Sequence, residues 1–208
     1  MTPAINAPAF RSFLQFTKDR HEIYLKKSSG QPAPWTDDPI LQEFKFCNVY
    51  RELDRGTEYY IEQCEQLIED DDSPLVQSII YRLVNNRLFF EHIGGIPELS
   101  WDMDEVVEDA RIYSKEHGTF VGDSYMAFAC SRKGETKADS LARVLDWLVE
   151  NFGDWNADVF QKARTLEEAH TALCFLPYVG PFIAYEILCD LFHIGYLRQF
   201  SINDWTSI

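Results

Sequence analysis

Asp204, in the run Ser201-Ile202-Asn203-Asp204-Trp205, and two arginines four positions apart, Arg51 and Arg55, are side chains whose types could do chemistry. A carboxylate can accept a proton or face positive charge that grows during a reaction. A guanidinium presents a planar fork that pairs bidentately with phosphate oxygens. If the segment around residue 51 is helical, Asn48, Arg51 and Arg55 fall on one face and form an anion clamp. The same arginines have a plainer use as partners of Glu52, Asp54 or Glu58. Asp204 has one too, as a turn residue or helix cap. Arg82 and Asn85 are polar at i and i+3 in an otherwise apolar helical run. That placement fits a cleft wall, or buried capping of a neighbouring helix.

The stretch that must position Asp204 lies just before it. Thr165-Leu166-Glu167-Glu168 is a Thr with Glu three positions on, the signature of a reciprocal cap at a helix start. Leu166, Ala169, Leu173 and Cys174 recur at helical spacing, and Pro177 must end the run because its ring and missing N–H cannot continue a helix. Tyr178-Val179-Gly180-Pro181 reads as a tight turn in which Gly180 supplies a permissive backbone that admits no Cβ, with Pro181 opening a second helix. Ile183, Ala184, Ile187, Leu188 and Leu191 form the stripe of that helix. Segments 165–175 and 181–192 are therefore expected as a packed helical pair with Gly180 at its tip. Backbone N–H groups at such a helix mouth can hold a phosphate oxygen without a cation. An ordinary helical hairpin is the plainer alternative.

Leu176-Pro177-Tyr178-Val179-Gly180-Pro181-Phe182-Ile183-Ala184 resembles the Leu-Pro-x-Val-Gly-x-x-x-Ala hairpin of the helix–hairpin–helix DNA glycosylase superfamily. Members of that superfamily carry an essential Asp some way past the hairpin glycine, as Asp204 stands here. A second block, Lys45-Phe46-Cys47-Asn48-Val49-Tyr50-Arg51-Glu52-Leu53-Asp54-Arg55-Gly56-Thr57, resembles one in the α-glutamyl/putrescinyl thymine pyrophosphorylase family of bacteriophages, the helical domain associated with 5-hydroxymethyldeoxyuridine DNA kinases. The resemblance runs from about Leu41 to Trp205. It implies an all-α, DNA-glycosylase-like helical domain that joins an amino acid or polyamine to pyrophosphate-activated 5-hydroxymethyluracil in DNA and releases pyrophosphate. It implies Asp204 as the catalytic carboxylate, facing one cavity with Arg51. It further implies substrate contacts by Asn48, Arg51, Asp54, Arg55, Arg82 and Asn85, and DNA contacts by Tyr178, Gly180 and Phe182. The expected partners are DNA with its base flipped out or single-stranded, a small amine or amino-acid donor, and a 5-hydroxymethyluracil DNA kinase. No metal or other cofactor is expected. A glycosylase that releases a free base, and a non-catalytic DNA-binding module, are the alternatives. The family's pattern continues beyond its Asp-Trp segment, whereas this sequence stops at Ile208, so a shortened form or a site completed by another molecule is expected.

At 208 residues and 46% apolar, the chain is expected to form a single helical domain of roughly eight helices, with 1–39 a first helix and loop and 160–208 the hairpin module. The net charge of −15 argues against a surface that works by counterion release. The imbalance is uneven: residues 130–208 hold seven Lys/Arg against eleven Asp/Glu, so 1–129 carry −11. The five cysteines have no C-x-x-C pair and are expected to be reduced core residues of an intracellular protein, in the host cytoplasm if phage-encoded. No run reaches membrane-span length.

In chain order, residues 1–9 are expected to fray. A first helix carries Phe10, Phe13 and Leu14, and 28–34 form a loop. Asp38-Pro39 opens a helix running to Gly56, and Thr57 opens another that ends in the acidic run Glu69-Asp70-Asp71-Asp72. Ser73-Pro74 begins an apolar helix, and Gly94-Gly95-Ile96-Pro97 is a turn. Asp102 with Glu105 caps the next helix, and 118–129 has strand character. Ser140 caps an amphipathic helix closed by Gly153.

Overall fold

The computed structural model describes residues 6–64, 73–123, 128 and 133–207. The chain divides into two compact units, Met1–Glu58 and Tyr59–Ile208. Among the described residues every regular element is helical. Leu67, Ile68, the acidic run Glu69-Asp70-Asp71-Asp72, Cys130, and residues 124–127 and 129 of the expected strand-like stretch lie outside the described residues. The described part of that stretch, 118–123 and 128, holds no strand.

The first unit is built on helix α1 (Ala7–Ser28), which starts where the Asn6 side chain accepts the Ala9 N–H at 3.2 Å. No α1 residue is buried. Helix α2 (Pro39–Glu43) is capped by Asp38, which accepts from Ile40 and Leu41. The expected continuation to Gly56 does not occur: Phe44 is already extended, at φ −100° and ψ 146°. Tertiary contact outweighs helix propensity here. An extended segment carries Phe46 back to α1, edge-on to Phe16 at 5.4 Å. The Arg20 guanidinium lies over both rings, 5.6 and 5.5 Å from their centroids. A 3₁₀ turn (Arg51–Leu53) and helix α3 (Arg55–Cys64) follow, so that helix begins two residues before the expected Thr57.

The second unit packs around helix α4 (Ser73–Val84), whose residues Pro74 to Val84 are all buried. Asn85 then turns left-handed, at φ 48°, and Asn86 caps helix α5 (Arg87–Ile93) by accepting the Phe89 N–H. The two asparagines, which the sequence places inside one helix, are instead the break between two. Gly122 locks that break: its N–H donates to the Val84 carbonyl at 2.8 Å, and a Cβ on it would meet the Asn85 carbonyl oxygen at 2.0 Å. Helix α6 (Met103–His117) is capped by Asp102, as expected. Helix α7 (Lys137–Trp155) begins at a reciprocal Thr136/Asp139 cap, four residues before the expected Ser140. It passes Gly153 and runs into a π-helical turn (Asn156–Phe160). Helices α8 (Leu166–Leu173) and α9 (Pro181–His193) form the expected pair, and a 3₁₀ turn (Ile202–Ser207) carries Asp204. Packed pairs are α6 with α7, α4 with α9, and α8 with α9. Of the four described cysteines only Cys64 is buried, which corrects the expectation of core cysteines. None of the described helices is long and apolar enough to cross a membrane.

Candidate functional site

In the first unit, the polar residues of the Asn48–Arg55 block are brought together by a loop. The Asn48 N–H donates to Asp54 Oδ1 at 3.1 Å, and the Asn48 carboxamide donates to the Leu53 carbonyl at 2.6 Å. Arg51 Nη1 pairs with Asp54 Oδ2 at 3.7 Å, and the Asp54 carbonyl receives the Glu58 N–H as α3 begins. Asp54 is therefore the hub of this loop. The expected shared helical face for Asn48, Arg51 and Arg55 is corrected, because residues 44–54 do not form an α-helix. Arg55 stands exposed at the first position of α3.

In the second unit, the turn between α8 and α9 is held by its own backbone. Phe175 N–H donates to the Ala172 carbonyl, Leu176 to Leu173, and Val179 to Leu176. Leu176 and Val179 are buried beneath it. The residue that turns left-handed is Tyr178, at φ 62°, not Gly180. Gly180 caps α9 with an ordinary extended backbone at φ −89° and ψ 176°, and nothing lies within 4 Å of where its Cβ would be. The expectation that this position admits no Cβ is therefore corrected. The Tyr178 ring turns inward, edge-on to Phe128 at 5.4 Å, and its hydroxyl donates to Glu135 at 3.3 Å. Gly180, Pro181 and Phe182 form the exposed tip, and Phe175 beside them is 72% exposed.

Arg82 is not on a cleft wall. It is 2% exposed, and its guanidinium closes bidentately on Asp190 of α9, with Nε at 2.5 Å from Oδ2 and Nη2 on Oδ1. Glu186 stands 3.7 Å away, and Ser78 donates to Asp190 at 3.3 Å. A buried charge must be paired, and this pair bolts α4 to α9, the second helix of the hairpin. Arg82 thus positions the hairpin. Asn85 serves the helix break already described.

Asp204 sits partly exposed in the C-terminal 3₁₀ turn. Its Oδ2 accepts from both the Ser201 N–H, at 2.6 Å, and the Ser201 hydroxyl, at 2.9 Å. These hydrogen bonds hold its carboxyl below the usual carboxylate range. Trp205 anchors the turn to α9, edge-on to Tyr185 at 5.6 Å and to Phe192 at 5.5 Å. Nearby in sequence, a cavity of about 650 Å³ lies where the π-helical turn meets the loop after α9. Asn156, Gln161, Tyr196, Arg198 and Gln199 line it, and among the described residues no Asp or Glu does. Sequence reasoning missed this place, because a π turn leaves no mark in residue type. It passed over Arg20, Lys27 and Lys45 as well, which line a cleft in the first unit. The basic residues Arg20 and Lys27, two helical turns apart on α1 with Tyr24 between them, were the available signal.

An all-helical domain with a Pro/Gly-capped helical pair and a carboxylate anchored just beyond it defines the structural class. The family described as "5-hmdU DNA kinase, helical domain" matches residues 7–208, and the chain belongs to that family. The chain is also 27% identical over 206 residues to the "5-hmdU DNA kinase" of Bacillus phage SP10. That alignment covers 93% of this chain and 32% of the relative, so the chain spans about a third of that relative's length. No solved structure matches significantly.

Proposed function

We propose that this chain acts on modified thymine in phage DNA, joining an amine or amino acid to pyrophosphate-activated 5-hydroxymethyluracil and releasing pyrophosphate. The observation that carries this reading is membership of the kinase-associated helical family along almost the whole chain. In the reaction, the amine nitrogen attacks the exocyclic methylene carbon, the carbon–oxygen bond breaks, pyrophosphate leaves with the electron pair, and the proton shed by the nitrogen passes to Asp204. The protein must align nucleophile, carbon and leaving group, then neutralise the departing charge. Arg51 and Arg55 are the proposed partners of that charge, with Asn48 and Asp54 setting the loop around them, and Asp204 is the proposed catalytic carboxylate. Gly180 and Phe182, at the exposed tip of the hairpin, are the proposed DNA contacts. The cavity of the second unit suits the base itself, since a carboxamide both donates and accepts, as the imide edge of a uracil requires.

One observation favours glycosidic cleavage as a second reading. A carboxylate held below its ordinary range by Ser201 is a weak base but a persistent anion, better fitted to face positive charge on a sugar than to take a proton. The test is incubation of pyrophosphorylated hydroxymethyluracil DNA with the protein and mixed amines, followed by mass spectrometry of the nucleosides. A new amine adduct, lost in Asp204→Asn while DNA binding persists, is the expected result. A free base instead supports cleavage, and unchanged DNA overturns both enzymatic readings in favour of a binding module.

A further inference from the structure

We propose that the first unit carries a separate binding site for a nucleoside phosphate, in the cleft between α1 and the segment 33–48. The cleft meets the loop of the transferase reading at Asn48, but that reading gives its three cations no task. It encloses about 770 Å³, within the span of small-molecule sites. Three cations, Arg20, Lys27 and Lys45, line it together with the rings of Tyr24, Trp35 and Phe46, against one carboxylate among the described residues, Glu43. Cations beside aromatic rings are the combination that holds a phosphate and stacks a base.

The fittings of the wall are specific. Trp35 is fixed at both ends: its indole N–H donates to the Gln31 carbonyl at 2.7 Å, and its own carbonyl receives the Lys26 ammonium at 2.7 Å. The Lys27 ammonium lies 4.6 Å from the centre of its ring. A charge is thus already held over one aromatic face. Arg20 donates through Nη2 to the Cys47 carbonyl and rests on Phe16 and Phe46, yet its buried Nε has no hydrogen-bond partner among the described residues. A buried donor left without an acceptor is costly, and a phosphate oxygen would supply one.

Charge supports an anionic ligand here. Residues 1–58 hold eight Lys/Arg and eight Asp/Glu, so this unit is neutral and the whole −15 of the chain falls on residues 59–208. An anion repelled by most of the protein meets no net repulsion from this unit.

The shared chemistry, a base with a phosphate, could be that of a free nucleotide or of one residue in single-stranded DNA. Calorimetric titration of the full chain with thymidine monophosphate, with a short oligothymidylate and with inorganic phosphate separates them. Binding of the monophosphate identifies the free nucleotide, and binding of the oligonucleotide alone identifies the strand; either supports the site. Lys27→Glu and Lys45→Glu change exposed side chains without touching the core and should each weaken binding at least tenfold. Lys115→Glu, an exposed change on α6 of the other unit, should leave it unchanged. Arg20→Ala should weaken it further, with circular dichroism confirming that α1 persists. If neither nucleotide probe binds at millimolar concentration, if inorganic phosphate binds as tightly as the nucleotide, or if Lys27→Glu and Lys45→Glu bind as the parent does, the proposal is wrong.

Discussion

At Asp204, one serine does most of the electrostatic work. Ser201 gives the carboxylate both its backbone N–H and its hydroxyl, and a charged acceptor strengthens each bond. The folded chain therefore binds this proton less tightly than the unfolded chain does. With the folded pKa depressed, the turn gains stability from the anion above the unfolded value of about 3.9, and loses it as the pH falls through the lower folded value. An NMR titration of the Asp204 carboxyl should give a midpoint below about 3.9, and Ser201→Ala should raise it. A midpoint that ignores the Ser201 substitution would show that something else sets it. Gly180 makes a contrasting case. Its backbone is one any residue can adopt, so Gly180→Val loses only the preference of a helix start for glycine over β-branched side chains, about 1 kcal/mol or less. Thermal unfolding should shift by only a few degrees, leaving Gly180→Val as a surface probe of the hairpin tip. Cooperative unfolding lost at room temperature would contradict the geometry.

Between helices, the decisive contact is the buried Arg82–Asp190 pair joining α4 to α9. Arg82→Met should destabilise by about 3 to 5 kcal/mol, because it strands a buried carboxylate beside Glu186. Pairing it with Asp190→Leu should recover much of that loss. If chemical denaturation finds the double variant no more stable than the single one, the cost lies in packing rather than charge. This contact also marks where sequence reading stopped. The α8 start, the Pro181 start of α9 and the Asp102 cap were legible because their signals are local: at Thr165 and Asp102 a side chain bonding a backbone group two or three residues away, and at Pro181 a ring that fixes φ for a first helical turn. The fate of Arg82 was not legible, since its partner lies 108 residues further on. Nor was the end of α2, which Phe46 decides by packing on Phe16 of another helix. Asn85 stood out only as a polar position in an apolar helical run, and that run masked the break that Asn85 and Asn86 make. The cluster of Asn48, Arg51 and Asp54 was legible as a block, though its geometry is a loop knotted by Asp54 and not the face of a helix.

On the scale of the whole chain, the division of charge governs how any nucleic acid can be held. Residues 59–208 carry all the excess acid, which argues against counterion release over a broad basic face of that unit. The hairpin tip, with Phe175 and Phe182 exposed, offers backbone and ring contacts that release few ions. Beside Arg51 and Arg55, proposed for the pyrophosphate, the first-unit cleft offers Arg20, Lys27 and Lys45 to the phosphates of a strand. Single strands lose affinity with salt at a logarithmic slope of roughly −0.7 per neutralised phosphate, so three such contacts give a slope of about −2. Fluorescence anisotropy of a labelled oligothymidylate across a salt series should show that shallow dependence, and Lys27→Glu should flatten it by about 0.7. A proper basic groove, with six or more phosphate contacts, would give a slope of roughly −4 or steeper. Such a slope would mean that DNA is gripped by a surface other than the cleft, and that the acidic balance of the second unit is overcome by contacts the three cations do not make.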